Sequence, residues 1–250
     1  MSTEAVIETT ALTKIYNGQT AVEQLTFSVN SGEIFGFLGP NGAGKTTTLL
    51  MLLGLTEPTS GSAKVLGLDP TRDPIKVKAM IGYLQENMGF YTDLNARQML
   101  EFIAELNSIT PDVADARITE ALQTVGLAQE QDKKIGAYSR GMRQRLGLAE
   151  LLIKDSKVAF LDEPTLGLDP DATRRMIEQI QSLCRDKKMT ILLSSHMLHQ
   201  VQQICHRIGI MIKGRMVAQG AIDQLAKEKF GVGEEKYTLE QLYMKYFQEA

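Results

Sequence analysis

The sequence predicts an α/β fold that starts with antiparallel strands and carries an inserted run of helices. Three observations point there. First, residues 33–38 form an apolar run of strand length, followed by Gly39-Pro40-Asn41-Gly42-Ala43-Gly44-Lys45-Thr46, of the form Gly-x4-Gly-Lys-Thr. Residues 46–55 then place Leu49, Leu50, Leu52 and Leu53 at helical spacing, so the motif lies between a strand and a helix. Second, residues 158–161 and 190–194 are apolar runs of the kind found in strands buried on both faces, and a helical pattern over 171–184 separates them. Third, from Asn87 to Asp155 the periodicity is helical and strand patterns disappear.

The elements follow in order. Residues 5–16 and 21–29 read as two strands joined at Asn17-Gly18, a hairpin turn signal, and Ser31-Gly32 turns the chain into the strand before the glycine loop. Residues 61–68 read as a further strand, and 81–84 as a short apolar strand that stops at Gln85. In the helical stretch one helix covers 96–107. A second starts at Thr110-Pro111, a cap with proline at the first helical position, and buries Ile118, Leu122 and Val125 before it ends near Gly126. A third covers 139–153. After the strand at 190–194, Met197, Leu198, Val201, Ile204 and Cys205 mark one face of a helix, and 208–212 and 215–218 flank Lys213-Gly214 as a hairpin. Thr238 with Gln241 forms a capping box. It opens a last helix whose apolar face is Leu239, Leu242, Tyr243, Tyr246 and Phe247. This gives a core of 1–86 and 156–225, a helical subdomain of 87–155 inside one 1–225 domain, and a helical tail of 226–250.

Composition narrows the function classes. Hydrophobic content of 43% and charged content of 23% are ordinary for a soluble globular protein. A net charge of −3 gives no electrostatic argument for nucleic acid. Cys184 and Cys205 have no metal-ligand spacing and read as packed, reduced thiols. No apolar run approaches the ~18 residues of a membrane span. Met1-Ser2-Thr3-Glu4 lacks the basic start and apolar core of a signal peptide. The expectation is a cytoplasmic chain that reaches a membrane only through another protein.

The glycine loop is the first chemical feature. Its glycines let backbone N–H groups turn inward, and the helix start adds positive potential, so the loop suits phosphate. Lys45 would reach the β- and γ-phosphates and Thr46 would offer its hydroxyl to Mg²⁺. Asp162 and Glu163 end the strand at 158–161, where a phosphate-loop enzyme needs acids. Asp162 would hold the metal, and Glu163 would orient or deprotonate water. His196 follows the strand at 190–194 and would sense the γ-phosphate, although spacing alone leaves a structural role equally open. His199 and His206 fall on the polar side of the helix that follows, and the pair His196 and His199 has no third ligand in evident reach. Ser139-Arg140-Gly141-Met142-Arg143-Gln144-Arg145 opens a helix, and reads either as a second anion site or as a capped basic surface helix.

In this ordered set the chain resembles the ATP-binding subunit of ABC transporters over nearly its whole length. Residues 39–46 match the Walker A loop, 158–164 Walker B with its following Glu163, Gln85 the Q-loop, Leu168-Asp169 the D-loop and His196 the switch histidine. Tyr16 falls where the family stacks an aromatic residue on adenine. Tyr138-Ser139-Arg140-Gly141-Met142 stands in place of the family signature Leu-Ser-Gly-Gly-Gln. The resemblance implies a P-loop NTPase (RecA-like) core that binds ATP and Mg²⁺. ATP contacts would come from Tyr16, from Gly39, Pro40, Asn41, Gly42, Ala43, Gly44, Lys45, Thr46 and Thr47, and from Ser139, Gly141 and Asp169. Thr46, Gln85 and Asp162 would serve the metal, and Glu163, His196 and Gln85 the chemistry. It also implies a second ATPase subunit, most simply a homodimer, with ATP between Walker A of one copy and Ser139/Gly141 of the other. A separate transmembrane permease subunit would anchor the pair to the inner face of the cell membrane.

The signature departs from the family pattern at two places: Arg140 replaces the first glycine and Met142 the glutamine. Leu166 stands where many relatives have serine. The Tyr-Ser-Arg-Gly-Met form resembles the branch serving multidrug-type exporters. Two other readings stand beside this one. A soluble member acting on ribosomes or DNA usually has two ATPase units or a long coiled-coil insertion, and this chain has neither. A non-hydrolytic nucleotide-binding regulator has no need of Glu163 and His196. Met88, Phe90 and Tyr91 are apolar or aromatic in the loop after Gln85. At least two of them are expected to line an exposed groove that receives a partner helix.

Overall fold

The structure is a computed structural model that describes residues 4–230 and 238–249. The chain divides into two compact units, Met1–Lys78 with Thr190–Ala250, and Ala79–Met189.

The first unit contains a three-stranded antiparallel sheet and a mostly parallel one. Strands β1 (Ala5–Tyr16) and β2 (Gln19–Asn30) form a hairpin closed at Asn17 and Gly18, whose φ values of 48° and 80° are those of a turn that matches strand twist. Strand β4 (Ser60–Val65) pairs antiparallel to β1, giving the order β2-β1-β4. Strand β3 (Ile34–Leu38) is buried throughout and lies parallel between β7 (Thr190–Ser195) and β8 (Arg207–Ile212). Strand β9 (Arg215–Gly220) closes the antiparallel hairpin on β8 across Lys213 and Gly214. The two sheets meet through Phe27 of β2 and Phe35 and Phe37 of β3, with ring centroids 4.9–5.7 Å apart. Helix α1 (Lys45–Leu52) follows β3, and α2 (Pro74–Met80) begins in this unit. The sequence reading missed α2, because seven residues with one buried side chain, Val77, give too little periodicity.

The second unit pairs β5 (Ile81–Leu84) parallel to β6 (Val158–Asp162) and adds four helices: α3 (Ala96–Leu106), α4 (Pro111–Thr124), α5 (Arg140–Ile153) and α6 (Pro170–Lys187). Asn95 and Gln98 form a capping box on α3. Pro111 starts α4 as expected, but the Thr110 side chain makes no capping bond. Ile118, Leu122 and Val125 are all buried. Arg97 ties α3 to α4 through Asp115 at 2.7 Å and Thr119 at 3.0 Å.

The C-terminal elements return to the first unit. Helix α7 (Leu198–Ile204) ends before His206, so His206 does not sit on that helix as its spacing implied. Its Nδ1 accepts a hydrogen bond from the Ile34 N–H at 3.0 Å. Helix α8 (Ile222–Phe230) precedes α9 (Leu239–Glu249). The capping box at Thr238 is formed in both directions, at 3.0 and 3.2 Å. Leu239 and Leu242 are buried, and the Leu239 N–H donates to Gln202 Oε1 of α7. Tyr243 and Tyr246 are half-buried and Phe247 remains exposed, so only part of the expected apolar face is covered within the chain. Among the described residues no helix is long and apolar enough to cross a membrane.

Candidate functional site

In the first unit β3 delivers the chain into the loop 39–44 and α1 receives it. Two glycines are required by space. A Cβ at Gly39 would lie 2.3 Å from the Met211 carbonyl oxygen, and one at Gly44, with φ 99°, 2.5 Å from the Ala21 carbonyl oxygen. No side chain caps α1 at Gly44, so its first N–H groups face the loop. Lys45 is buried, and its ammonium donates to the carbonyls of Gly39 at 2.8 Å and Pro40 at 3.3 Å. Thr46 is exposed, Thr47 is half-buried, and Thr48 turns inward to the Gly44 carbonyl at 2.9 Å. Pro40 is half-buried, Asn41 and Gly42 are exposed and Ala43 is buried, so the loop shows its outer rim to solvent.

His196 is placed by strand register. Leu38 and Ser195 are the last partners of the parallel β3–β7 pair, so Gly39 and His196 both leave the same end of the sheet, where open α/β sheets bind ligands. His196 is exposed. Tyr16 ends β1 opposite Gln19, on the hairpin whose next residues, Ala21 and Val22, abut Gly44. The Tyr16 ring is exposed, carries the Lys14 ammonium 4.8 Å from its centre, and its hydroxyl meets Thr56 Oγ1 at 3.5 Å.

In the second unit Leu84 pairs with Leu161, so Gln85 and Asp162 leave adjacent strand ends side by side. Gln85 is exposed, while Asp162 and Glu163 are buried. The Tyr83 hydroxyl lies beside the Asp162 carboxylate, a neighbour the sequence reading missed. An aromatic residue two positions before Gln85 was the available signal. Glu163 has φ 48°, a left-handed backbone that a non-glycine residue adopts at a cost. Its carbonyl accepts from the Leu166 N–H at 3.1 Å, which closes a turn directly after the carboxylate. Asp169 caps α6, its Oδ1 accepting from the Ala172 N–H at 2.8 Å. Ser139 is exposed and caps α5, its Oγ accepting from the Met142 N–H at 3.2 Å. Gly141 faces α6: a Cβ there would meet the Ala172 Cβ at 3.2 Å.

A groove of about 210 Å³ opens beside Gln85, lined by Glu86, Asn87, Met88, Arg140, Arg143 and Gln144. Of the three loop residues expected there, Met88 lines it. Phe90 is half-buried, and Tyr91 is 60% exposed and packs edge-on against Phe102 with centroids 5.6 Å apart.

A phosphate loop at the end of a parallel strand and an acid pair at another strand end define a P-loop NTPase. Comparison with known proteins gives the family. Residues 22–166 match the family model described as ABC transporter. The bacitracin transport ATP-binding protein BcrA of Bacillus licheniformis is 42% identical over 222 residues, covering 89% of this chain and 72% of that protein. The Nod factor export ATP-binding protein I of Burkholderia pseudomallei (strain K96243) is 38% identical over 227 residues, covering 91% and 74%. A solved structure described as an ATP binding subunit of an ABC transporter superposes with a TM-score of 0.86 at 27% identity, covering 97% of this chain and 99% of that one. The chain belongs to the ABC transporter family and is one of its ATP-binding subunits.

Proposed function

We propose that this chain hydrolyses ATP with Mg²⁺ as one half of a homodimer, and that closure of the pair drives a separate membrane-embedded permease of the exporter type. The single observation that carries the hydrolytic reading is the buried, adjacent Asp162 and Glu163 at a strand end, in a chain that also holds the Lys45 loop. The relatives named for bacitracin transport and for Nod factor export favour an exporter, working at the inner face of the cell membrane through its permease. The domain plan goes with this reading: a core of 1–86 and 156–225 does the chemistry, 87–155 meets partners, and 226–250 is an added tail.

The residues fit the groups they would hold. Thr46, Gln85 and Asp162 offer a hydroxyl, an amide oxygen and a carboxylate, a hard-oxygen donor set suited to Mg²⁺. When bound, the metal would neutralise charge on the phosphate oxygens. The glycine loop cradles phosphates with backbone N–H groups because no Cβ fits at Gly39 or Gly44. Lys45 exchanges its carbonyl partners for phosphate oxygens. Glu163 orients the attacking water and takes its proton, and His196 hydrogen-bonds the γ-phosphate from the strand end beside the glycine loop. Tyr16 stacks on the base. Ser139 and Gly141 of the second copy complete the anion site, with Asp169 at their side.

The test is turnover of the purified full chain. Glu163→Gln should keep ATP binding and lose about 10²-fold or more in turnover. Lys45→Ala should instead weaken nucleotide binding. Wild-type turnover in Glu163→Gln would remove Glu163 as the base.

A further inference from the structure

Arg140 is where this chain departs from the glycine of the family signature, and the structure shows what the arginine touches. A Cβ added at Gly167 would lie 3.0 Å from Arg140 Nη1, 3.1 Å from Cζ and 3.2 Å from Nε. Three guanidinium atoms at nearly equal distance mean that the plane lies flat over Gly167. Gly167 has φ 71°, so the turn needs glycine both for its backbone and for this contact. Arg140 Nη2 is buried and, among the described residues, has no hydrogen-bond partner. The side chain is therefore held by stacking rather than by an ion pair, with a desolvated donor left over.

Gly167 belongs to the turn that starts at Glu163. That turn is closed by Leu166 N–H to Glu163 C=O at 3.1 Å, and continued by Leu168 N–H to Thr165 C=O at 3.3 Å. Its first residue carries the left-handed φ of 48°, a strained state that persists only where the surroundings hold it. The next residue of α5, Gly141, faces Leu168 and Ala172. The start of α5 thus packs on Gly167 and Leu168, at the end of the segment that follows Glu163.

We propose that Arg140 is a positioning residue for Glu163: its guanidinium clamps the 163–167 turn and holds the carboxylate in the orientation needed for the attacking water. This rests on the reading of Glu163 as the base. It also gives the chain a mechanical link that a glycine cannot supply, from the helix start that would meet the partner copy's ATP to the carboxylate of its own site. A lysine would not replace it, because an ammonium has no plane to lay on Gly167.

The experiment measures single-turnover ATP hydrolysis and ATP affinity on the purified full chain. The variants are Arg140→Gly, Arg140→Lys, Glu163→Gln and the Arg140→Gly/Glu163→Gln double variant, with thermal melting as a check on folding. A misplaced catalytic group costs on the order of 10- to 100-fold. We expect Arg140→Gly and Arg140→Lys each to lower the hydrolysis rate about tenfold or more at unchanged ATP affinity. In the Glu163→Gln background, Arg140→Gly should have no further effect, because the group it positions is gone. A wild-type rate in Arg140→Gly overturns the proposal. So does an equal further loss in the double variant, which would mark a general structural role. A wild-type rate in Glu163→Gln would overturn the base assignment itself, and is separately visible in the same assay.

Discussion

The Tyr83 hydroxyl lies beside the Asp162 carboxylate of the neighbouring parallel strand. Burial, with Asp162 beside it, pushes the phenol up to about 12, so it stays a donor throughout the neutral range. Tyr83→Phe should preserve the fold and raise the Mg²⁺ concentration needed for half-maximal activity about tenfold, the usual cost of losing a group that orients a metal ligand. A Mg²⁺ titration on both proteins decides it; an unchanged midpoint would reduce Tyr83 to packing.

ATP should dimerise the hydrolysis-deficient chain. Ser139 is exposed at the start of α5, as a surface meeting a second copy requires. Light scattering of Glu163→Gln with ATP should give twice the monomer mass, and adding Ser139→Arg should return it to monomer. A dimer indifferent to ATP and to residue 139 would place the contact elsewhere.

Met88 in its groove and the exposed Tyr91 make the loop after Gln85 a candidate for permease docking. Met88→Glu and Tyr91→Glu should spare ATPase activity of the isolated subunit and abolish transport by the complex. Full transport by both variants would exclude the docking role. Loss of subunit ATPase activity would mean that the side chains hold the loop together instead.

Glu150 gives a pH-dependent stability. Burial on α5 pushes its carboxyl up to about 7 from 4.5, and Lys154 one turn on offsets this only in part. Lys154 is itself lowered by burial and donates to the Ile81 carbonyl at 2.9 Å. Between about pH 4.5 and 7 the folded chain holds a proton at Glu150 that the unfolded chain has released. Stability from this group therefore falls as pH rises through that window, by at most about 1.4 kcal/mol per unit. Glu150→Gln should flatten the dependence and raise the melting temperature at pH 8. A wild-type profile in Glu150→Gln would assign the slope to other groups.

Contiguous pieces of the site were legible in the sequence because each is set by local rules. The glycine loop needs a strand before it and a helix after it, and both leave periodic patterns. The capping roles of Thr238 and Ser139 follow from residue type and spacing alone. The caps also show the limit, since Thr110 has the right chemistry and makes no bond. What stayed hidden are contacts between positions far apart in the chain. Arg140 on Gly167 and Tyr83 on Asp162 leave no spacing to read, because strand pairing and helix packing bring them together. His206 failed for a smaller reason: the helix ended early, and its ring became the acceptor for a strand N–H.

The Lys45 ammonium already holds two of its own loop's carbonyls, at Gly39 and Pro40. A loop of this design is not a spring waiting to collapse around a charge, because the cation keeps its cradle in shape from within. An arriving phosphate must outbid oxygens that are already in place. The net gain at this lysine is the difference between two good sets of acceptors, much smaller than the attraction between bare charges. A nucleotide held by such an exchange would also leave by it: as the phosphate departed, the carbonyls would take the ammonium back, and the loop would be ready for another without refolding.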